Sequence, residues 1–172
     1  FLIATTQYRA ARWSVFLNPF DPAQYKNEGW QPAHSLLGLA SGGIFGVGLG
    51  GSRQKWGNLP EEHTDFIFAV YSEEFGLIGV VALLLIYLFI IWRGLRIATQ
   101  AHDNYSRFLA GSITLTFFVY VFVNIGMVSG ILPVVGVPLP LISFGGTSLV
   151  TLLAGFGILM SISTHKRMLA NQ

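Results

Sequence analysis

The sequence predicts an all-α, polytopic membrane protein. Of its 172 residues, 52% are hydrophobic and only 10% are charged, whereas soluble domains carry about 25% charged residues. Two segments, 75–92 and 108–164, contain no acidic or basic residue and are long enough to cross a bilayer. Glycines and prolines interrupt the second segment at 130–146, which divides it into two spans. The predicted transmembrane helices are 75–92, 108–128 and 147–163.

Composition also excludes several classes of protein. The chain has no cysteine, which rules out a disulfide framework and a cysteine-based metal site. A net charge of +2 is too small to indicate a nucleic-acid partner. The four histidines are scattered and show no metal-ligand spacing. The sequence starts without Met, and residues 1–4 look like the tail of an earlier apolar segment, so we interpret it as the C-terminal part of a longer membrane protein.

Residues 5–74 are predicted to form one large polar loop outside the membrane. Arg9 and Arg12 flank Trp13 in this loop, a pattern typical of an anchor at the membrane interface. Further along, 32–40 can form a short amphipathic helix that lies on the membrane, with its leucines on one side.

The glycine-rich segment at 41–52 contains G-x-G-x-x-G at 46–51, a formal match to the dinucleotide-binding fingerprint. We reject the match because that fingerprint needs a preceding strand and a βαβ unit, and the sequence predicts neither. The glycines are better explained as backbone that folds close to a ligand or onto the membrane. Arg53 and Lys55 follow beside Trp56, and they suit an interface anchor and a contact to a lipid phosphate equally well.

The most acidic segment, 58–75, holds five of the eight acidic residues and directly precedes the first span. Ionisable side chains near lipid are costly and mark functional sites. The glutamates of this segment can be explained as a solvated helix end. Asp65 differs from them, because the apolar residues 66–68 follow it directly and draw it toward the apolar layer.

The same acidic segment is predicted to be helical. Asn58 can cap a helix, and Pro60 suits its first turn. On this helix Asp65 and Ser72 share a face, about 80° from Glu73. An acid, a hydroxyl and a second acid can therefore line one wall.

The positions of the basic residues predict the orientation in the membrane. The short basic segments 93–107 and 165–172 lie on the same side, which is the cytoplasmic side. The loops 5–74 and 130–146 then face outward together, and Asp65 meets the glycine- and proline-rich loop there. That loop is apolar and irregular, and such backbone is tolerated at membrane depth only when protein buries it or it lines a cavity. We therefore expect a re-entrant or tightly docked loop.

Asn124 is the strongly polar side chain of the second predicted span. Hydrogen bonding between helices is the ordinary explanation for such a residue. Contact with a substrate is the alternative, and both stay open here.

Three stretches resemble the SEDS family of shape, elongation, division and sporulation proteins, which includes RodA and FtsW. They are L-P-E-E-H-T-D-F-I-F-A-V at 59–70, E-E-F-G-L-I-G at 73–79, and the N-I-G-M-V-S-G-I-L-P-V-V-G-V-P-L-P-L-I-S-F-G-G-T-S-L stretch at 124–149. The resemblance covers almost the whole chain and implies the last three helices of a ten-helix fold, with the large outer loop before them. The stretch 52–57 is more similar to the division branch and 119–138 to the elongation branch, so the branch is undecided.

The resemblance implies a peptidoglycan glycosyltransferase, which polymerises lipid II at the outer face of the bacterial cytoplasmic membrane with a class B penicillin-binding protein as partner. The essential acid of the family falls on Asp65, the expected general base. Arg53 and Lys55 are candidates for the charge that meets the departing pyrophosphate. A bound divalent cation could share that role, although its ligands are not evident in the sequence. The predicted substrate-binding residues are Arg53, Lys55, Glu73, Asn124 and Ser143.

Two other functions, a flippase and a scaffold, also fit parts of the sequence. A flippase for lipid-linked cell-wall precursors also fits broken apolar segments and polar residues inside the membrane. The absence of ionisable groups in 108–164 and the clustering of acids at one face of the membrane argue against it. A scaffold for a cell-wall transpeptidase is the other, and the resemblance favours such a partnership in addition to catalysis.

Overall fold

A computed structural model describes residues 7–22, 29–53 and 64–170, with side chains for 12–22, 29–53 and 64–164. Within these ranges the chain is helical and contains no strand, which confirms the predicted all-α class. The described part forms five helices: α1 Gln7–Leu17, α2 Trp30–Ser41, α3 Ile67–Gln100, α4 Asn104–Val128 and α5 Gly146–Ala170. Of these, α3, α4 and α5 are long and apolar enough to cross a membrane. The chain is therefore part of a membrane protein with three candidate spans in the described region.

The helices that contain the predicted spans are longer than those spans. The first was expected at 75–92 but belongs to α3, which has 34 residues. At its far end the helix continues through the basic segment, where the Arg96 guanidinium stacks 4.5 Å from the centre of the Trp92 ring. A short connection leads to α4, which Asp103 caps by accepting a hydrogen bond from the Ser106 N–H (3.0 Å). That hydrogen bond lowers the pKa of the Asp103 carboxyl.

The region 5–74 is not a single loop, because it contains α1 and α2. The helix expected at 32–40 is present as α2 and buries one face, formed by Ala33, His34, Ser35 and Gly38. The Ser35 hydroxyl donates to the Val128 carbonyl at the end of α4 (3.2 Å). Because α2 packs against both α3 and α4, it forms part of the folded core.

The main core lies between α3 and α4 and extends to the loop that follows α4. Its buried members include Phe66, Phe68, Leu83, Tyr87, Phe117, Val121, Met127 and Leu139. The two helices approach closely at Gly94, where an added Cβ would lie 2.4 Å from Thr114 Oγ1. Small residues allow membrane helices to approach closely enough to pack in this way. Ala98 and Ala110 continue the contact and meet Leu159 of α5 in a second cluster.

Gly76 interrupts α3, with φ 64° and ψ −164°. The glycine-rich segment 41–52 lies against this break and exchanges backbone hydrogen bonds with both sides of it. They are Val47 N–H to Glu73 O (2.9 Å), Gly48 N–H to Glu74 O (3.1 Å), Leu77 N–H to Gly43 O (2.9 Å) and Ile78 N–H to Ile44 O (3.2 Å). Helix breaks expose backbone groups that need partners, and the glycine-rich segment supplies them.

Close approach explains why glycines occupy this segment. A Cβ added at Gly46 would lie 2.1 Å from the Glu74 carbonyl oxygen, and one added at Gly42 would lie 2.2 Å from that of Ser72. The sequence predicted a backbone that folds close to another surface. In the structure that surface is α3 itself.

Replacing Gly46 with alanine is expected to lower the thermal stability of the whole protein more than replacing Gly50. Both glycines have a left-handed φ, +77° and +78°, so the backbone strain is matched. Nothing lies within 4 Å of a Cβ at Gly50, whereas a Cβ at Gly46 overlaps backbone and should cost about 1–3 kcal/mol more. Thermal unfolding in detergent measures the difference, and equal melting temperatures would contradict the tight contact described here.

Candidate active site

Asp65 lies in a turn immediately before α3 and is partly buried. Its carbonyl oxygen accepts a hydrogen bond from Asn124 Nδ2 (2.9 Å). Its carboxylate lies beside Gly136, where an added Cβ would be 3.2 Å from Asp65 Oδ2. The next residue, Phe66, is 1% exposed and belongs to the main core. The predicted meeting of Asp65 with the glycine- and proline-rich loop is thus present in the structure.

The prediction that Asp65 and Ser72 share a helical face is wrong. Residues 64–66 form a turn, and α3 begins only at Ile67. Side chains from α4 and from the loop after it bind the carbonyl oxygens of Thr64 and Asp65, so these two oxygens accept bonds from elsewhere in the fold instead of extending the helix. The predicted cap and first turn at 58–60 lie outside the described residues.

The loop between α4 and α5 is irregular and docked on the protein. Several side chains bind its backbone: Arg12 Nη1 donates to Val134 O (2.8 Å), Asn124 Nδ2 to Val137 O (2.6 Å) and Tyr87 Oη to Pro140 O (2.7 Å). Leu139 and Pro140 are buried, and Leu141 adopts a left-handed φ of 68°. A strained residue of this kind persists only when its surroundings hold it. The loop is therefore tightly docked, as predicted.

Ser143 joins this loop to the Asp65 turn. Its hydroxyl donates to the Thr64 carbonyl (2.5 Å) and accepts from the Leu139 N–H (2.7 Å). Ser143 also borders a cavity of about 440 Å³ between α4, α5 and the loop. Phe117, Leu139 and Phe156 are among its apolar lining residues, and hydroxyls such as those of Ser143, Thr147 and Thr151 also line it. The sequence did not predict this cavity because it depends on how α5 packs.

Asn124 is fully buried, at 0% exposure. Its Nδ2 donates to the carbonyls of Asp65 and Val137, which belong to a turn and to a loop. The expected interhelical hydrogen bond is therefore replaced by bonds to irregular backbone. Its Oδ1 is also buried and accepts no hydrogen bond from the described residues.

Glu73 is 1% exposed, so its interpretation as part of a solvated helix end is wrong. Its carboxylate accepts hydrogen bonds from the hydroxyls of Ser41 (3.0 Å) and Ser52 (2.5 Å). These serines stand at the two ends of the glycine-rich segment, so one carboxylate ties both ends to α3 just before its break. Burial follows from these tertiary bonds, which the local acidic pattern did not reveal.

The two predicted basic ligands have different outcomes. Arg53 is exposed and directly follows the fully buried Ser52. The two serine hydrogen bonds to Glu73, here called the Glu73 clamp, therefore fix the backbone from which Arg53 extends. Lys55 lies outside the described residues. Within the described ranges, no group of three or more His, Asp or Glu residues could hold a metal ion.

Other residues around the site were not predicted. Each of them has a partner that is distant in sequence. Tyr87 binds Pro140 of the loop between α4 and α5, and Gly136 of that loop lies beside Asp65. Ser41 and Ser52 bind Glu73. Tyr87 could have been suspected, because it carries the only hydroxyl within the apolar run 75–92. The other three have no local signal of this kind.

Glu73→Gln is expected to destabilise the whole protein by about 1–3 kcal/mol, because the amide offers one acceptor oxygen where the buried carboxylate offers two, one to Ser41 and one to the buried Ser52. Glu74→Gln is the matched control, since Glu74 Oε1 is buried but accepts no hydrogen bond from the described residues. Thermal unfolding of both variants in detergent measures the difference. A melting temperature that falls equally in both would argue against the clamp.

Residues 1–168 match the FtsW/RodA/SpoVE family, described as cell cycle protein. The chain is 52% identical over 165 residues to the peptidoglycan glycosyltransferase MrdB of Escherichia coli K12, covering 95% of this chain and 44% of that protein. It is 45% identical over 168 residues to the probable peptidoglycan glycosyltransferase FtsW of Geobacter metallireducens (97% and 44%). It is 44% identical over 167 residues to stage V sporulation protein E of Bacillus subtilis (96% and 45%).

The chain therefore spans less than half the length of these relatives. A solved structure described as structural coordination of polymerization and crosslinking by a peptidoglycan synthase complex aligns with a TM-score of 0.73 and 28% identity, over 95% of this chain and 44% of that one. A mutant of the Thermus thermophilus rod shape determining protein RodA aligns with a TM-score of 0.57 and 36% identity, over 72% and 38%. The family match and the alignment with the synthase complex each cover nearly the whole chain. The chain belongs to the FtsW/RodA/SpoVE family of cell cycle proteins.

Proposed function

We propose that this protein acts as a peptidoglycan glycosyltransferase, which polymerises lipid II into glycan strands during cell elongation or division. The observation that carries the proposal is the position of Asp65. Its partly buried carboxylate lies at the entrance to the apolar span α3 and faces Gly136 of a docked loop. Relatives named peptidoglycan glycosyltransferase, at 52% and 45% identity, support the assignment.

In the proposed reaction, Asp65 is the general base. Its carboxylate takes the proton from the acceptor sugar hydroxyl, whose oxygen forms a bond to the anomeric carbon of the donor. The bond from that carbon to the pyrophosphate oxygen breaks, and the lipid pyrophosphate leaves with the electron pair. One committed carboxylate suits an inverting displacement, since retention would need a second carboxylate as nucleophile.

Positive charge has to meet the leaving pyrophosphate, and Arg53 and Lys55 are the proposed source. Arg53 is exposed at the end of the clamped glycine-rich segment, where a charged ligand could reach it. A divalent cation is the alternative, for which the described residues offer no acid- or histidine-rich group.

The other predicted substrate contacts differ in accessibility. Ser143 borders the cavity beside α5 and remains a candidate contact. Glu73 and Asn124 are buried to 1% and 0% exposure, which favours support of the loops over direct contact with substrate.

The proposed site of action is the outer face of the bacterial cytoplasmic membrane, among membrane lipids. A class B penicillin-binding protein is the proposed partner, which would cross-link the new strand. The similar structure described as a peptidoglycan synthase complex that coordinates polymerization and crosslinking supports this partnership.

Asp65→Asn should abolish most glycan polymerisation by the full-length protein. Asparagine keeps the shape and polarity but cannot accept the proton, and loss of a general base costs about 10²–10⁴-fold in rate. Purified protein with its transpeptidase partner and labelled lipid II provides the assay. Asp103→Asn is the control, because this residue caps α4 away from the site and asparagine caps helices equally well.

Polymerisation at the native rate by Asp65→Asn would show that another residue is the base. A flippase is the second candidate function, and the break in α3 at Gly76 is the observation that favours it. If the wild-type protein translocates lipid II across vesicles without polymerising it, and Asp65→Asn stops translocation, the flippase assignment replaces the enzyme.

Single cysteines at Asn27 and Asn171, in a cysteine-free full-length protein, test the proposed orientation. An impermeant thiol reagent applied to intact cells should label position 27 and spare position 171, because the short basic tail is expected in the cytoplasm. Labelling after permeabilisation controls for access at position 171. The opposite pattern would place the Asp65 side of the membrane inside the cell.

A further inference from the structure

Asn124 connects two irregular segments that are far apart in the sequence. Its Nδ2 donates to the carbonyl of Asp65 (2.9 Å) and to that of Val137 (2.6 Å). An amide nitrogen carries two hydrogens, and these two bonds use both. The side chain is fully buried and extends from α4, which packs extensively against α3. Asn124 on α4 thus fixes the position of the Asp65 turn relative to the docked loop.

Gly136, the residue before Val137, lies beside the Asp65 carboxylate. A Cβ built on Gly136 would lie 3.2 Å from Asp65 Oδ2, a tight contact that the carboxylate could relieve only by moving. The loop is therefore close to the carboxylate at Gly136, and Asn124 links the loop to the Asp65 backbone. Both features constrain where the carboxylate lies relative to the loop.

We infer that Asn124 is a positioning residue, which holds the Asp65 carboxylate against Gly136 without touching the substrate. The inference rests on the proposed function, in which Asp65 is the base. A proton acceptor works only at hydrogen-bond distance from its hydroxyl, and a misplacement of about 1 Å can cost on the order of 10²-fold in rate. Asn124 acts on that distance from the protein side.

Asn124→Asp changes the donor pattern with little change in shape. An ionised carboxylate would direct an oxygen at two carbonyl oxygens, and a protonated one restores a single donor. Either form therefore loses at least one of the two donors that bind the Asp65 and Val137 carbonyls.

Gly136→Ala disturbs the same carboxylate from the loop. It tests the inference even if the Asn124 variant does not fold. Gly130→Ala is its matched control in the same loop. The two glycines have similar left-handed φ values, +76° and +72°, and in both an added Cβ has its nearest contact at 3.2 Å. That contact is Asp65 Oδ2 for Gly136 but the methyl carbon Leu36 Cδ2 for Gly130.

The experiment measures kcat and KM for lipid II with the full-length variants and their partner. Thr114→Val is the control for Asn124→Asp, since Thr114 is buried in the same helix but donates to the Ala110 carbonyl within it (2.8 Å). Thermal unfolding checks that each variant is folded at the assay temperature.

We expect Asn124→Asp to lose about tenfold or more in kcat, with KM changed little. Gly136→Ala should lose kcat in the same way, and Thr114→Val and Gly130→Ala should keep it within about twofold. If Asn124→Asp does not fold, the two glycine variants decide.

Native kcat in folded Asn124→Asp and Gly136→Ala would overturn the inference. A loss confined to KM would also overturn it and make Asn124 a substrate ligand. Equal losses of kcat in the two glycine variants would show a general packing defect and count against positioning. Wild-type protein that makes no polymer rejects the proposed function itself, which separates the two failures.

Discussion

Irregular backbone beside an apolar membrane span is stable only when its polar groups find partners inside the protein. Two such segments occur in this chain. The break in α3 at Gly76 exchanges backbone hydrogen bonds with the glycine-rich segment 41–52. The loop between α4 and α5 receives side-chain hydrogen bonds from Arg12, Tyr87 and Asn124. The position of every candidate site residue in the described region follows from one of these two arrangements.

The same constraint explains why so many polar residues near the site are buried. A buried polar group left without its partner costs about 1–3 kcal/mol, more than a typical hydrogen bond contributes. The buried Glu73 therefore depends on Ser41 and Ser52, and the buried Ser52 depends on Glu73. Loss of one such group removes a partner from a segment that carries Arg53 or Asp65. Structural support and proposed chemistry are thus coupled through short chains of hydrogen bonds.

A broken helix inside the membrane is also a feature of transporters, where the unwound backbone binds the transported ion or substrate. In α3 the carbonyls of Glu73 and Glu74 and the amides of Leu77 and Ile78 are bound instead by the glycine-rich segment. The break therefore serves as an attachment point for the loop that leads to Arg53. This arrangement, together with the Asp65 carboxylate beside the docked loop, favours the proposed glycosyltransferase over the flippase.

The sequence by itself determined the all-α membrane class, the three spans, the short helix α2 and the docked loop, because hydropathy and proline content act locally. It also singled out Asp65 and predicted its meeting with the glycine- and proline-rich loop. Only the tertiary structure decided that α3 begins at Ile67 and that Glu73 and Asn124 are buried. These outcomes depend on partners far away in sequence: 59 positions separate Asn124 from Asp65, and 79 separate Ser143 from Thr64. A carbonyl oxygen in a turn carries no local sign of the side chain that will bind it, so such contacts become visible only once the helices are packed.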